Sequence, residues 1–250
     1  NYAGPLIDKS DLKSVKDAVI NGFYENYKTH VLKLEEKLRK KLNVKYALAV
    51  NSCTAAIHLA LASLNLSKND EVITSDSSCV ASALPIKYIG AKAKFVDVDL
   101  DTHCISPKSI LRAITKKTKA IIVVHWNGIP ANMKEIMKIA KKFNLHVIED
   151  AAPSLGAEYY GKKIGTLGDV GCYSFQGAKV AIGGHGGALV TNNKKIYEKA
   201  KILSGFGRTD SKKMYWSDYV GWNYQMPNLP AALALSQVSK LDNLVKRKRQ

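Results

Sequence analysis

Little in the chain points to a metal, a disulfide or a membrane. Its four cysteines, Cys53, Cys79, Cys104 and Cys172, show no C-x-x-C spacing, so neither a zinc site nor a disulfide framework is indicated. No apolar run is long enough to cross a membrane and no stretch reads as a signal peptide, which makes a reduced cytoplasm the expected setting. Internal repeats and low-complexity segments are missing as well. Acid is scarce: 21 Asp and Glu stand against 38 Lys and Arg, a net charge of +17. Such a balance suits a nucleic acid, a membrane surface or an anionic substrate. The lysines are scattered through helices and turns, however, and the one dense run is Lys246-Arg247-Lys248-Arg249. No nucleic-acid-reading motif accompanies them, so at most a weak, salt-dependent and sequence-blind attraction is expected. Most of the charge reads as solvated surface with a bias toward anionic ligands.

What the chain does have is apolar residues, 46% of 250, enough for one large domain or two small ones. Helical spacing runs over 8–22 and 29–42, where Leu12, Val15, Val19 and then Val31, Leu34, Leu38 share faces. A buried strand is predicted over 45–50, followed by a helix to Leu64 that is apolar nearly all round. Strands at 71–74, 94–98, 119–124 and 146–150 then alternate with helices at 80–89, 107–115 and 132–143. Near-continuous apolar strands alternating with helices predict a mainly parallel sheet covered on both faces. Beyond Asp150 come short segments at 156–160, 170–175 and 188–191, then helices at 194–203 and 229–248. The polar and aromatic stretch 204–225 reads as a long loop of the kind that carries function. The last helix runs into basic residues with no cap, as though a domain plan were unfinished.

Three stretches carry chemistry. Ser174-Phe175-Gln176-Gly177-Ala178-Lys179 puts a lysine in a small-residue turn inside an apolar neighbourhood. Burial would lower the pKa of such an amine and make it nucleophilic toward carbonyls. The hydroxyl of Ser174 and the amide of Gln176 are neutral groups suited to a phosphate. An ordinary surface lysine is the alternative. Ser52-Cys53-Thr54 follows a buried strand and opens a helix, where free N–H groups and the dipole favour a phosphate. Simple N-capping by Ser52 is the alternative there. In Glu149-Asp150-Ala151-Ala152, a carboxylate at the carboxyl edge of a strand can pair with a protonated ring nitrogen, or merely start a helix. Together they form the set pyridoxal phosphate needs: phosphate cradle, ring-nitrogen carboxylate and Schiff-base lysine.

These pieces, in order, resemble the DegT/DnrJ/EryC1/StrS sugar aminotransferases, of fold type I (aspartate aminotransferase-like). The resemblance runs from Gly4-Pro5-Leu6 to Lys240-Leu241-Asp242. It includes Asn51-Ser52-Cys53-Thr54-Ala55-Ala56, Asp70-Glu71-Val72-Ile73, Phe95-Val96-Asp97-Val98-Asp99, Val124-His125-Trp126-Asn127-Gly128, Gly168-Asp169-Val170-Gly171 and Gly221-Trp222-Asn223-Tyr224. It implies an α/β fold whose large cofactor-binding domain covers 1–228, with 229–250 starting a helix toward a small C-terminal domain outside this chain. It implies Lys179 as the Schiff-base lysine, later moving the proton as acid and base, and Asp150 as partner of the pyridine nitrogen. Ser52, Cys53, Thr54 and Ser174 would hold the phosphate of pyridoxal 5′-phosphate. Gln176 would lie near the ring hydroxyl or phosphate, and Ala152 on the ring face. Asn223 would reach the phosphate of a neighbouring subunit, because family members build each site across a homodimer. The implied substrates are a nucleotide-diphosphate keto-sugar and L-glutamate.

Three departures stand out. Cys79, in Ser77-Ser78-Cys79-Val80, occupies the place of the family's ring-stacking aromatic. His185, in Gly184-His185-Gly186-Gly187, replaces a glutamate near the substrate. Gln225 replaces an arginine after Trp222-Asn223-Tyr224. They leave open a pyridoxamine-phosphate-dependent dehydratase of the same family, although those enzymes replace the lysine with histidine. A non-catalytic binding or regulatory relative is open too. His30, His58, His103, His125 and His146 show no ligand pairing and read as structural. Trp126, Trp216 and Trp222 read as core or interface, with Trp222 kept beside His185 as a candidate substrate contact. The stretch 209–216 is a candidate substrate or subunit loop.

Overall fold

A computed structural model describes residues 5–210 and 215–250. The chain opens with α1 (Lys9–Asn21), whose start is fixed by a capping box between Asp8 and Asp11. After it come α2 (Thr29–Leu42), β1 (Tyr46–Val50), α3 (Cys53–Ser63), β2 (Glu71–Ser75), α4 (Val80–Tyr88) and β3 (Lys92–Val96). Then follow α5 (Pro107–Ala113), β4 (Thr118–Val124), α6 (Met133–Phe143) and β5 (His146–Asp150). A short hairpin of β6 (Glu158–Tyr159) and β7 (Lys162–Lys163) precedes β8 (Val170–Ser174) and β9 (Gly187–Thr191). The helices α7 (Lys194–Ser204), α8 (Asn228–Ser239) and α9 (Leu241–Lys248) complete the order. Helices α2 and α6 both end on an asparagine in the left-handed conformation, Asn43 and Asn144, a residue that tolerates it because its side chain bonds locally.

Among the described residues, seven strands form one sheet in the order β1-β9-β8-β5-β4-β2-β3. β9 runs antiparallel to both β1 and β8; every other pairing is parallel. Apart from the edge strand β3, whose residues are mostly exposed or half-buried, the strands of this sheet are buried on both sides because helices cover both faces. Leu34 and Leu38 of α2 and Ala231, Ala234 and Val238 of α8 pack on one face of β1, β8 and β9. Ile57, Leu59 and Leu61 of α3, with Ile196 and Ala200 of α7, fill the other. Helix α3 is buried almost all round, as its unbroken apolar composition predicts.

Several predicted boundaries move; the helix predicted over 107–115 ends at Ala113, and the segment predicted over 156–160 is the two-residue strand β6. The strand predicted at 94–98 lies at Lys92–Val96, where Glu71↔Lys92 to Ser75↔Val96 pairing sets its register; Val98 forms only an isolated bridge to Ile105. The helix predicted over 229–248 breaks at Lys240, which has left helical geometry at φ −106°, ψ 18°. Its ammonium reaches across to Asp8 at 2.6 Å and Asp11 at 2.5 Å, ties to α1 that no local pattern foretells. Beyond Ser204, which ends α7, the loop 204–225 carries no helix or strand among its described residues; the bridge Gly205↔Asn223 closes its base and the bridge Val50↔Gln225 ties it to β1. The candidate loop 209–216 includes 211–214, which lie outside the described residues, as does Gly4.

Candidate active site

The carboxyl ends of parallel strands β1, β2, β5 and β8 face one edge of the sheet, where α/β folds bind ligands. The amino end of β9 joins them there. A cavity of about 310 Å³ opens on this edge, near the low end of the range for small-molecule sites. It is lined by Ser52, Cys53 and Thr54 from the first turn of α3, Cys79 from the turn before α4, Asp150 and Ala152 after β5, Ser174, Gln176 and Lys179 after β8, and His185 before β9. Ten residues singled out in the sequence thus meet in one cavity. Asn223 and Trp222 do not line it. Asn223 is exposed, and its carbonyl accepts from Asn51 Nδ2 at 3.2 Å. Trp222 packs on His58 with ring centres 4.2 Å apart and stacks on Tyr224.

Each wall has a local cause. Ser52 caps α3 by accepting from Ala55 N at 3.1 Å, so it serves as the cap and lines the cavity as well. Gly187 starts β9 so close to this turn that a Cβ there would meet Cys53 N at 2.5 Å; any larger residue would push the strand off the helix. Ser174 is buried and accepts from Gln176 N at 3.3 Å. The Gln176 side chain is exposed and caps its own turn by accepting from Ala178 N at 2.8 Å. Lys179 follows in that turn, its N–H bonded to Gln176 O at 2.9 Å. The sequence predicts a buried lysine; the structure has it half-buried, because the turn lifts it from the core to the cavity wall.

Asp150 is only 5% exposed. Its Oδ2 accepts from Ser82 Oγ at 2.6 Å, and its Oδ1 from Ala152 N at 3.1 Å and Cys53 Sγ at 3.7 Å. Burial first, and the Asp150 charge second, push the Cys53 thiol well above its usual range, so it stays protonated and donates. Cys172 is raised in the same way by burial and Asp150. All three donors to Asp150 are neutral, and no Lys, Arg or His forms an ion pair with it among the described residues.

The preceding residue, Glu149, points to the other face and is fully buried. Its Oε2 accepts from His125 Nε2 at 3.0 Å and Gly165 N at 2.8 Å; its Oε1 accepts from Leu167 N at 2.7 Å and Gly168 N at 2.6 Å. His125 Nδ1 accepts from Ala131 N at 3.1 Å, which assigns the ring proton to Nε2 and the bond to Glu149. Gly171 is needed behind this loop, since a Cβ there would collide with Gly165 O.

Sequence reasoning missed Ser82 and the Glu149–His125 network. A signal for Ser82 existed: two hydroxyl residues bracket the start of a helix at the carboxyl end of a strand, Ser78 just before α4 and Ser82 in its first turn. Four of the five histidines read as structural have partners in the fold, His125 on Glu149 among them, while His103 is exposed. His30 meets Asp17, His146 meets Asp169, and His58 Nδ1 lies 3.1 Å from Tyr224 OH. Burial holds the His58 pKa down at about 4. Among the described residues no cluster could hold a metal, and no helix is long and apolar enough to cross a membrane.

Known proteins resemble the chain in sequence and in fold. The chain is 39% identical over 246 residues to the GDP-perosamine synthase of Escherichia coli O157:H7, covering 98% of this chain and 67% of that protein. A solved Helicobacter pylori aminotransferase involved in pseudoaminic acid biosynthesis superimposes with a TM-score of 0.90 at 29% identity, over 100% of this chain and 68% of that one. A Bacillus subtilis structure with bound cofactor PMP, the amino form of pyridoxal phosphate, matches at a TM-score of 0.85 and 30% identity, over 95% of this chain and 55% of that one. The chain thus spans about two thirds of the length of the curated relatives it matches. The fold, a mainly parallel sheet with one reversed strand, is that of the pyridoxal-phosphate transferases of fold type I, and pyridoxal phosphate is the cofactor of this group. With residues 5–250 matching its description, the chain belongs to the DegT/DnrJ/EryC1/StrS aminotransferase family.

Proposed function

We infer that the chain is the cofactor-binding part of a pyridoxal-phosphate aminotransferase that moves an amine, from L-glutamate, to a keto group on a nucleotide-diphosphate sugar. The observation that carries this is the meeting of Lys179, Asp150 and the first turn of α3 in one cavity. The donor set fits the cofactor. Asp150 is a buried carboxylate held only by neutral donors, and a protonated ring nitrogen supplies the cation it lacks. The α3 N-terminus suits a phosphate, with the Ser174 hydroxyl beside it. Bound there, pyridoxal phosphate supplies a carbonyl carbon that carries the amine and a ring that draws off electrons.

The chain's residues then divide the work. The Lys179 amine would hold the cofactor's carbonyl carbon between turnovers and, once released, would take the proton from the donor's α-carbon as base and deliver it to the cofactor carbon as acid. Asp150 keeps a proton on the ring nitrogen. Ser52, Cys53, Thr54 and Ser174 hold the phosphate, and Gln176 stands near it. Ala152, a small residue on the cavity wall, leaves room for the flat ring. His185, exposed at the mouth, is assigned to the substrate, and Asn223 and Trp222, outside this cavity, to a site shared with a second subunit. A lysine at position 179 favours amine transfer over the histidine-dependent dehydration of related enzymes. The GDP-perosamine synthase relative supports a nucleotide-linked sugar as acceptor.

The test is to incubate the full-length protein with glutamate and a panel of nucleotide-linked keto-sugars, and to follow 2-oxoglutarate and amino-sugar formation. Product from at least one sugar is expected, and its loss in Lys179→Ala. Turnover that survives Lys179→Ala would overturn the assignment.

A further inference from the structure

Ser82 sits on α4, 1% exposed, and its hydroxyl donates to Asp150 Oδ2 at 2.6 Å. The Ser82 Oγ also lies 3.1 Å from Ser78 Oγ. A serine has one hydroxyl proton. With the Ser82 proton spent on the carboxylate, the proton between the two serines comes from Ser78. The order is therefore Ser78 O–H to Ser82, then Ser82 O–H to Asp150. Ser78 adjoins Cys79, which lines the cavity. The relay thus runs from the cavity wall to the buried carboxylate.

We propose that Ser82, backed by Ser78, is the positioning residue that orients the Asp150 carboxylate toward the cofactor ring. The proposal rests on the reading of Asp150 as the ring-nitrogen partner. Oδ1 is held by a backbone amide and a thiol, and a thiol is a weak donor. Ser82 supplies the short bond on Oδ2, and an O–H donated to a carboxylate is among the stronger hydrogen bonds. A donor behind it polarises it further. Without Ser82 the carboxylate can rotate about its last side-chain torsion, and the oxygen facing the ring loses its fixed direction. The separation of 68 positions in the chain between Ser82 and Asp150 makes this a tie between two separate strand ends, so the α4 turn and β5 are held in one arrangement.

The experiment compares wild type, Ser82→Ala, Ser82→Thr and Ser78→Ala in the full chain. The readouts are the apparent Kd for pyridoxal phosphate and the pH midpoint of the bound cofactor's near-visible band, with urea unfolding of the apoprotein as the check on folding. Ser82→Ala is expected to weaken binding about tenfold, as loss of a bond to a charged group does, and to move the midpoint. Ser82→Thr keeps the hydroxyl and restores both, and Ser78→Ala gives a smaller shift in the same direction. Wild-type binding and midpoint in Ser82→Ala, or Ser82→Thr as defective as Ser82→Ala, would overturn the role. Should Ser82→Ala fail to fold, Ser78→Ala decides: a moved midpoint supports the relay, and an unmoved one ends it. A wild-type chain with no near-visible band would instead remove the cofactor role of Asp150, and this proposal with it.

Discussion

Glu149 and Asp150 are neighbours on β5, and the alternation of a strand sends them to opposite faces of the sheet. Both are carboxylates and both are buried. Each oxygen of Glu149 has two donors, three of the four being backbone amides of the 165–168 loop. Asp150 has three donors, all neutral, and one side opens on the cavity. One register step therefore separates a carboxylate whose hydrogen-bonding capacity is used up by the fold from one left with capacity for a ligand. Burying a charge is costly unless it is fully bonded, so Glu149 stabilises the fold while Asp150 is available for chemistry. A partly buried carboxyl, Glu35, marks the far end of the series with one backbone donor, Ala49 N at 2.8 Å.

Substitution at each position should break the comparison differently. The largest effect is expected from Asp150→Asn. The amide oxygen can still accept from Ala152 N and Cys53, and its NH₂ can donate to the Ser82 oxygen while Ser82 turns its own proton to Ser78, so apoprotein stability should move by less than about 1 kcal/mol. Loss of the charge should slow the glutamate half-reaction on the order of a thousandfold, read by stopped-flow absorbance. A rate within about tenfold of wild type would mean that Asp150 is as structural as Glu149. Glu149→Gln comes next, with the opposite signature. Its NH₂ would face amide donors, leaving two of them unsatisfied and costing about 2–4 kcal/mol in urea unfolding. Unchanged stability would show that the loop does not depend on the carboxylate.

The smallest effect belongs to Glu35, and it depends on pH. Burial pushes its carboxyl from the ordinary 4.5 up to about 7. The folded chain binds that proton more tightly than the unfolded one. The resulting stability is fully present below about pH 4.5 and is lost as pH rises through about 7. Glu35→Gln keeps an acceptor for Ala49 N–H and does not ionise, so it should be more stable than wild type at pH 8 by about 1–2 kcal/mol, with no gain at pH 4. An equal effect at both pH values would contradict this account of Glu35.

The sequence made the sheet legible because its strands are near-continuous apolar runs separated by amphipathic helices, a pattern set by local burial. Ser52, Cys53, Thr54, Asp150, Ser174 and Lys179 were legible because the ends of strands in such a sheet converge on one edge, so residues distant in the chain could be assigned to a common site. The break at Lys240 was not, since its cause lies in Asp8 and Asp11, on another helix. Ser82 was hidden for a similar reason: one hydroxyl on a helix acquires meaning only when β5 brings Asp150 to it. Lys179 lines one cavity with Asp150 and the first turn of α3, and is less buried than its sequence neighbours suggest. Apolar neighbours in sequence do not show that a turn lifts a side chain toward the cavity.

The most direct test of the central claim is borohydride reduction of the protein after loading with pyridoxal phosphate, followed by identification of the labelled peptide. Label confined to Lys179, with its near-visible band removed on reduction, is expected. A label on another lysine, or none in a chain that remains folded, would contradict the account of this cavity as the cofactor site.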